Sequence, residues 1–286
     1  MGELTLVPKQ EDKDTIIVSA SSLNVIDTCK KKYEYYKIRG LGTSGPKNEK
    51  LERGDLIHQI ADVFYKGMIN GSEDRGTCIQ KALDHGRFIS ATELDLEIEA
   101  VEYYIDVMQN YFEVEADFGW KPLYSEEPFS VILFEDETLR VLLEGKIDLV
   151  VEVIQSGQKI VIDHKSKEKT STPSEIENQF QTYGFAFRDV TNMVMVNQIG
   201  LHKNREKRFR HFPMTFHDSV LAEWERDTVF KIKELYWSIK NDYFPRSYQS
   251  CSYCEFERIC REPVNLRERM IEAHYEQSKP FDLFAK

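Results

Sequence analysis

Four cysteines bracket this chain: Cys29 lies near the N-terminus, and Cys251, Cys254 and Cys260 follow one another as C-x2-C-x5-C near the C-terminus. Two cysteines two residues apart can grip one metal, a third lies within reach, and Cys29 is the best candidate for the fourth ligand. A chain closed in this way must return its C-terminal segment to its first helix. Cys78 is left over. Met1 to Asp14 is polar and has no apolar h-region, so no signal peptide is read there. A cytoplasmic, reducing location is therefore expected, in which clustered cysteines bind metal in preference to forming disulfides. Four thiolates suit zinc as well as an iron–sulfur cluster, and spacing alone does not choose between them.

The chain has 286 residues, 41% of them hydrophobic, which is enough for a substantial core. No apolar run approaches a membrane span, so no membrane partner is expected. A net charge of −11 argues against non-specific adhesion to nucleic acid. The distribution matters more than the sum. Lys30-Lys31-Lys32, the trio Lys165, Lys167 and Lys169, and the run Lys203–Arg210 form three basic clusters, expected to flank one candidate site.

Ser19–Ser22 reads as a helix start, with the helix running to about Lys37. A second helix over about 49–68 places Ile57, Ile60, Phe64 and Met68 on its core stripe, with His58 off that stripe. Residues 72–118 read as mostly helical. Residues 127–134 and 139–153 are strand-like, and so are 159–164 after a turn at Ser156-Gly157. Ser174 and Glu177 form a capping box for a helix to about Asp189. Two strands near 193–202 and 208–216 make a hairpin, and a long helix over 219–241 precedes the cysteine segment. The order predicts an α/β fold, a mixed central sheet flanked by helices. The expected division is a flexible segment 1–18, one domain over 19–262, and a C-terminal helix and tail over 263–286.

Two strands carry the chemistry. Asp148 lies in Leu143-Glu144-Gly145-Lys146-Ile147-Asp148, and Asp163 and Lys165 lie in Ile160-Val161-Ile162-Asp163-His164-Lys165. Side chains alternate along a strand, so Asp163 and Lys165 share a face and His164 points away. A hairpin sets Asp148 beside Asp163. Two ionised carboxylates in a low-dielectric cleft repel, a divalent cation removes that repulsion, and hard oxygen ligands suit Mg2+ or Mn2+. An ammonium beside such a centre orients an attacking water and stabilises negative charge on a phosphoryl group, so metal-assisted phosphodiester hydrolysis follows. Glu126, Glu127 and Glu144 are further carboxylates within range of this set.

The pattern Gly145-x-x-Asp148, Asp163-x-Lys165, Gln179-x-x-x-Tyr183, preceded by Gly54-x-x-x-His58, resembles the RecB-like branch of the PD-(D/E)xK nuclease superfamily. The resemblance implies a restriction-endonuclease-like core. It makes His58, Asp148, Asp163 and the backbone carbonyl of His164 the ligands of Mg2+ or Mn2+. Asp148, Asp163 and Lys165 become the catalytic set, and Gln179 and Tyr183 contact DNA or support the lysine. The cysteine layout is similar to that of AddB-type nuclease domains and CRISPR-associated RecB-like exonucleases. That similarity implies a [4Fe–4S] cluster on Cys29, Cys251, Cys254 and Cys260. One departure is Lys30, where these families often carry proline after the first cysteine.

The implied activity is a metal-dependent deoxyribonuclease, with exonuclease action on single-stranded or end-containing DNA preferred. The competing class is a DNA-binding or scaffold subunit that keeps the fold. No Walker A motif is present, so no helicase activity is read. Tyr33, Tyr35 and Tyr36 offer stacking surfaces for unpaired bases as well as core contacts. The terminal Phe281-Asp282-Leu283-Phe284 reads as a docking peptide for a protein partner or as an apolar tail folded onto its own domain.

Overall fold

The computed structural model describes residues 13–43, 49–168, 171–174 and 177–277. In chain order the elements are β1 (Asp14–Val18), α1 (Ala20–Thr28), α2 (Lys30–Tyr33, continued by a π-helical turn Glu34–Ile38), β2 (Leu41–Thr43), α3 (Glu49–Asn70), α4 (Arg75–Thr92), α5 (Ile98–Glu115), β3 (Trp120–Glu135), β4 (Leu139–Val153), β5 (Lys159–Lys167), α6 (Asn178–Ala186), β6 (Met193–Gly200), β7 (Phe209–Thr215), α7 (Asp218–Lys240), α8 (Glu257–Arg261), α9 (Arg267–His274) and β8 (Tyr275–Gln277). The described residues form two compact units. One comprises the described parts of 1–46, 129–145 and 218–286, and the other comprises those of 47–128 and 146–217. Lys169 and the segment Phe281–Phe284 lie outside the described residues.

The second unit holds a mixed sheet. The latter half of β4 runs antiparallel to β5, with Leu149 opposite Ile162. β5 runs parallel to β6, with Val161 beside Val194, and β6 is antiparallel to β7. A parallel pair needs a crossover, and α6 lies in it. The sheet is flanked by helices: Leu56, Ile57, Ile60 and Phe64 of α3 join α4, α5 and the strand residues Leu149, Ile162 and Ile199 in one core. The packing is tight enough that a Cβ on Gly86 would lie 2.6 Å from Ile60. Cys78 is buried in this core, so its truncation leaves a void; the sequence alone reads it as a bystander. The helix after Ser174 begins at Asn178, with Glu177 at its N-cap, and ends at Ala186. The capping-box bond survives in part, since the Ser174 N–H donates to Glu177 Oε1 at 3.2 Å.

In the first unit β1 runs parallel to the leading half of β4, Asp14 beside Leu139 through Val18 beside Leu143. Residues 14–18 are thus a paired strand. α1 packs against α7, and β2 pairs with β8. Tyr35, Leu41, Phe256, Ile259 and Ile271 form a small core against which Cys254 and Cys260 pack. The helix begins at its Ser19 cap as the sequence predicts, but it breaks at Cys29, whose φ of −171° and ψ of 122° are extended. The break is held by the 245–247 segment: the Lys31 N–H donates to the Pro245 carbonyl at 3.2 Å, and the Ser247 N–H donates to Cys29 Sγ at 3.3 Å.

The basic run that follows is matched by carboxylates. Lys30 pairs with Glu234 at 2.8 Å, Lys32 with Glu255 at 3.0 Å, and Lys31 with Glu34. It is a set of internal ion pairs, so it offers no free cationic surface. Tyr33 and Tyr35 are buried, and Tyr36 is exposed. No helix among the described residues is long and apolar enough to cross a membrane.

Two glycines of the sequence motifs differ physically. A Cβ on Gly145 would lie 2.6 Å from the ring of buried Phe129, whereas one on Gly54 meets nothing closer than Ser166 Oγ at 3.9 Å. Gly145→Ala is expected to cost about 1–3 kcal/mol through overpacking. Gly54→Ala is expected to be neutral or to gain up to about 1 kcal/mol from helix propensity. Urea melts of the two variants check this, and equal losses would contradict the packing difference.

Candidate metal centre and cysteine cluster

The catalytic candidates converge within the second unit. Asp148 follows one step beyond the last registered β4–β5 pair, and its Oδ2 accepts a hydrogen bond from the backbone N–H of His164 at 2.7 Å. Asp163 lies in the fully covered part of β5 and is 0% exposed. Its Oδ1 accepts from Lys165 Nζ at 3.0 Å and from Gln179 Nε2 at 2.7 Å. Its Oδ2 is buried with no hydrogen-bond partner. A buried carboxylate oxygen left bare costs several kcal/mol, of order, unless a cation or proton compensates, so this atom is suited to a metal.

His58, on α3, places Nδ1 3.6 Å from Asp148 Oδ1 and 3.3 Å from Glu126 Oε1. One ligand atom from each of His58, Glu126 and Asp148 lies within 4.8 Å of the others. Glu126 is the member that sequence reasoning leaves among several carboxylates. Glu127 beside it is exposed, and Glu144, in the other unit, accepts a bond from Ser130 at 3.2 Å. Glu126 has a φ of +49°. A non-glycine residue held there is strained, and such strain is concentrated at functional sites. No hydropathy or spacing signal distinguishes Glu126 from Glu127; the backbone kink that aims it exists only in the folded chain.

The electrostatics match an acidic metal centre. Burial, then the neighbouring Asp163 carboxylate, pushes Asp148 up to about 7. Burial also raises Asp163, against the pull of Lys165. Burial opposes charge on His58, but the Glu126 hydrogen bond and the charge of Asp148 outweigh it, so the imidazole sits above its ordinary value. Glu126 is likewise disfavoured as an anion by burial, yet His58 and Lys146 hold it below the usual carboxylate range. A divalent cation would serve all of these carboxylates at once.

Lys165 is held by two partners, Asp163 and the side-chain carbonyl of Gln179 at 2.9 Å. Gln179 Nε2 also donates to the Tyr183 hydroxyl at 3.2 Å, and that hydroxyl donates to the Lys146 carbonyl at 3.3 Å. Gln179 thus touches Lys165 directly, and Tyr183 touches Gln179. His164 turns away, as strand alternation predicts: its ring stacks on Tyr65 at 6.0 Å, and Asn197 Nδ2 lies 3.0 Å from its Nδ1. Burial drives its pKa down to about 3, so the ring is neutral. In a strand the N–H and C=O of one residue point to the same side. The His164 carbonyl therefore faces the side on which its N–H reaches Asp148.

Of the remaining basic clusters, Arg205 and Arg208 both pair with Asp106, at 2.5 and 2.9 Å. Lys203, Lys207 and Arg210 are exposed.

In the first unit Cys29, Cys251, Cys254 and Cys260 line one cavity of about 180 Å³, together with Tyr35 and Phe256. All four thiols are free. Burial pushes up the thiols of Cys254 and Cys260, and the nearby Cys29 adds to both shifts, as expected where thiolates would crowd without a cation. Among the described residues, the one group of three or more ligand atoms mutually within 4.8 Å is His58, Glu126 and Asp148. No three cysteine sulfurs are that close.

No curated protein matches the chain. Among solved structures, an inferred exonuclease from Eubacterium rectale superposes with a TM-score of 0.52 at 12% identity, covering 88% of this chain and 91% of that one. An alkaline exonuclease from Laribacter hongkongensis gives a TM-score of 0.33 at 13% identity, covering 65% of this chain and 89% of that one. The sequence profile of the PD-(D/E)XK nuclease superfamily matches residues 17–261, a span that takes in both acidic strands, His58, Gln179 and all four clustered cysteines: the chain belongs to the PD-(D/E)XK nuclease superfamily.

Proposed function

We propose that this protein is a Mg2+- or Mn2+-dependent deoxyribonuclease that hydrolyses phosphodiester bonds, acting as an exonuclease on single-stranded or end-containing DNA. The observations that carry the reading are the bare, fully buried Asp163 Oδ2 and the convergence of His58, Glu126 and Asp148, two of which feel the Asp163 charge. His58, Glu126, Asp148 and Asp163 would hold the metal, with the His164 carbonyl as a further oxygen ligand. When bound, the metal supplies Lewis acidity to the phosphate and lowers the pKa of a water. Lys165, fixed by Asp163 and Gln179, orients the attacking water and offsets charge on the phosphoryl oxygens. Gln179 and Tyr183 keep its ammonium in place, and the stacked, neutral His164 holds β5 rigid from behind.

The exonuclease preference rests on the resemblance. The same reading places a [4Fe–4S] cluster on Cys29, Cys251, Cys254 and Cys260. It is supported by four free thiols lining one cavity. The cluster's role would be structural, and an intracellular setting accords with it.

Degradation of end-labelled single-stranded DNA by the purified protein in Mg2+ or Mn2+ tests the activity. Lys165→Ala is expected to lower the rate by about 10²–10⁴-fold, and Glu126→Gln to raise the metal concentration needed. Cleavage undiminished in Lys165→Ala would refute the site assignment.

A further inference from the structure

Lys146 lies two residues before Asp148 on β4, on the same face of the strand, and is the least restrained cation at the metal trio. Its side chain is 59% exposed, and the ion pair it makes is with Glu126 Oε2. The other Glu126 oxygen faces His58 Nδ1. Its backbone is fixed, because Tyr183 donates to its carbonyl. Lys165, by contrast, is clamped by two partners and is 31% exposed. Lys146 and His58 line a cavity of about 350 Å³, and Lys66 lines it too, exposed and paired with Asp62 at 2.8 Å.

A metal taken up by His58, Glu126 and Asp148 would use the carboxylate that now neutralises Lys146. Two cations drawn to one carboxylate repel each other, and the one that can move is the lysine, on its flexible four-carbon stem.

We propose that Lys146 is a switched phosphate-binding residue. It is the counter-ion of Glu126 in the metal-free protein, and metal uptake releases it to a backbone phosphate of the nucleic-acid strand in the adjoining cavity. The strand is thereby gripped only when the centre is loaded. This rests on the proposed nuclease reading of the same site.

The test uses the full chain, Lys146→Ala and Lys146→Arg. Calorimetric titration with Mn2+ without DNA should show about 3–10-fold tighter binding in Lys146→Ala, since a competing cation is gone. Binding of labelled oligothymidylate in Ca2+, which occupies the centre without supporting cleavage, should weaken about tenfold, with the salt dependence falling by about 0.7 for one lost phosphate contact on a single strand. Lys146→Arg should restore DNA binding. In Mg2+ the alanine variant should show a raised KM, with kcat within about twofold. Unchanged oligonucleotide affinity and salt slope in Lys146→Ala, or unchanged Mn2+ affinity, would overturn the proposal. A parent protein that neither binds Mn2+ nor cleaves DNA would overturn the nuclease reading itself. A parent that does both, with a variant identical to it, defeats the lysine switch alone.

Discussion

Asp163→Asn is expected to abolish metal-dependent cleavage while making the metal-free protein more stable. On the proposed reading the substitution removes an anionic metal ligand, and it also removes one anchor of Lys165, so loss of at least about 10³-fold in rate is expected. The stability gain has the opposite origin. Asp163 is fully buried, one of its oxygens has no partner, and its charge raises Asp148. Neutralising it relieves both penalties, by roughly 1–2 kcal/mol, or a few degrees in melting temperature for a chain of this size.

The sign of the pH dependence follows. Asp148 has a folded pKa near 7 against an ordinary value of 3.8. The folded state therefore binds the proton more tightly than the unfolded state, and ionisation in the fold is unfavourable. Stability of the metal-free protein is expected to be fully present below about pH 4 as far as this group is concerned, and to fall as pH rises toward 7. Added Mn2+ should flatten that fall, because a cation replaces the proton. Thermal melts of parent and Asp163→Asn between pH 4 and 8, with and without Mn2+, check all three expectations. A variant less stable than the parent at pH 8 without metal would show that the carboxylate pair is not strained.

Cys29→Ala carries the second large effect: loss of visible absorbance from anaerobically purified protein, with a marked drop in thermal stability. Cys29 sits at the break between α1 and α2, and its sulfur is tied to the 245–251 segment. The core beside the cysteines is small, built around Tyr35, Phe256 and Ile259, so little apolar burial is available to hold the segment if the cluster is lost. A structural metal contributes folding free energy directly, about 10 kcal/mol or more in the extreme of small zinc domains. Cys78→Ala should leave the colour unchanged and cost about 1–2 kcal/mol from its buried site. A colourless parent protein containing zinc would refute the cluster, and equal bleaching by both variants would refute the ligand assignment.

Much of the metal centre was legible in the sequence because it is built on strand periodicity. Asp163 and Lys165 share a face at spacing two, and His164 turns into the core by the same rule. The apolar run Ile160-Val161-Ile162 announced a strand covered on both faces, which is why Asp163 is buried. Gln179 and Tyr183, one helical turn apart, meet as spacing predicts, and the contact of Gln179 with Lys165 is visible only in the folded chain.

Other features were not legible, for stated reasons. Glu126 is aimed by a left-handed backbone conformation that hydropathy does not encode. The helix expected to run to Lys37 breaks at Cys29 because contacts from residues 245–247, remote in sequence, outweigh local helix propensity. The Lys30–Lys32 run looked like a polyanion surface until Glu234 and Glu255 were found opposite it. β1 was missed because five residues pair only when the leading half of β4 is present beside them.

The sequence by itself determined most of the strands and helices around the candidate site, the superfamily resemblance, the acid–acid–lysine set and the cysteine layout, since each depends on spacing along one strand, one helix or one short loop. Only the tertiary structure decided that Glu126 lies with His58 and Asp148, that Asp163 keeps one oxygen bare, that Lys146 pairs with Glu126 while staying exposed, and that the first basic run is matched by carboxylates. Those facts depend on which side chains, distant in sequence, are brought within a few ångströms, and on the burial that makes their charges costly.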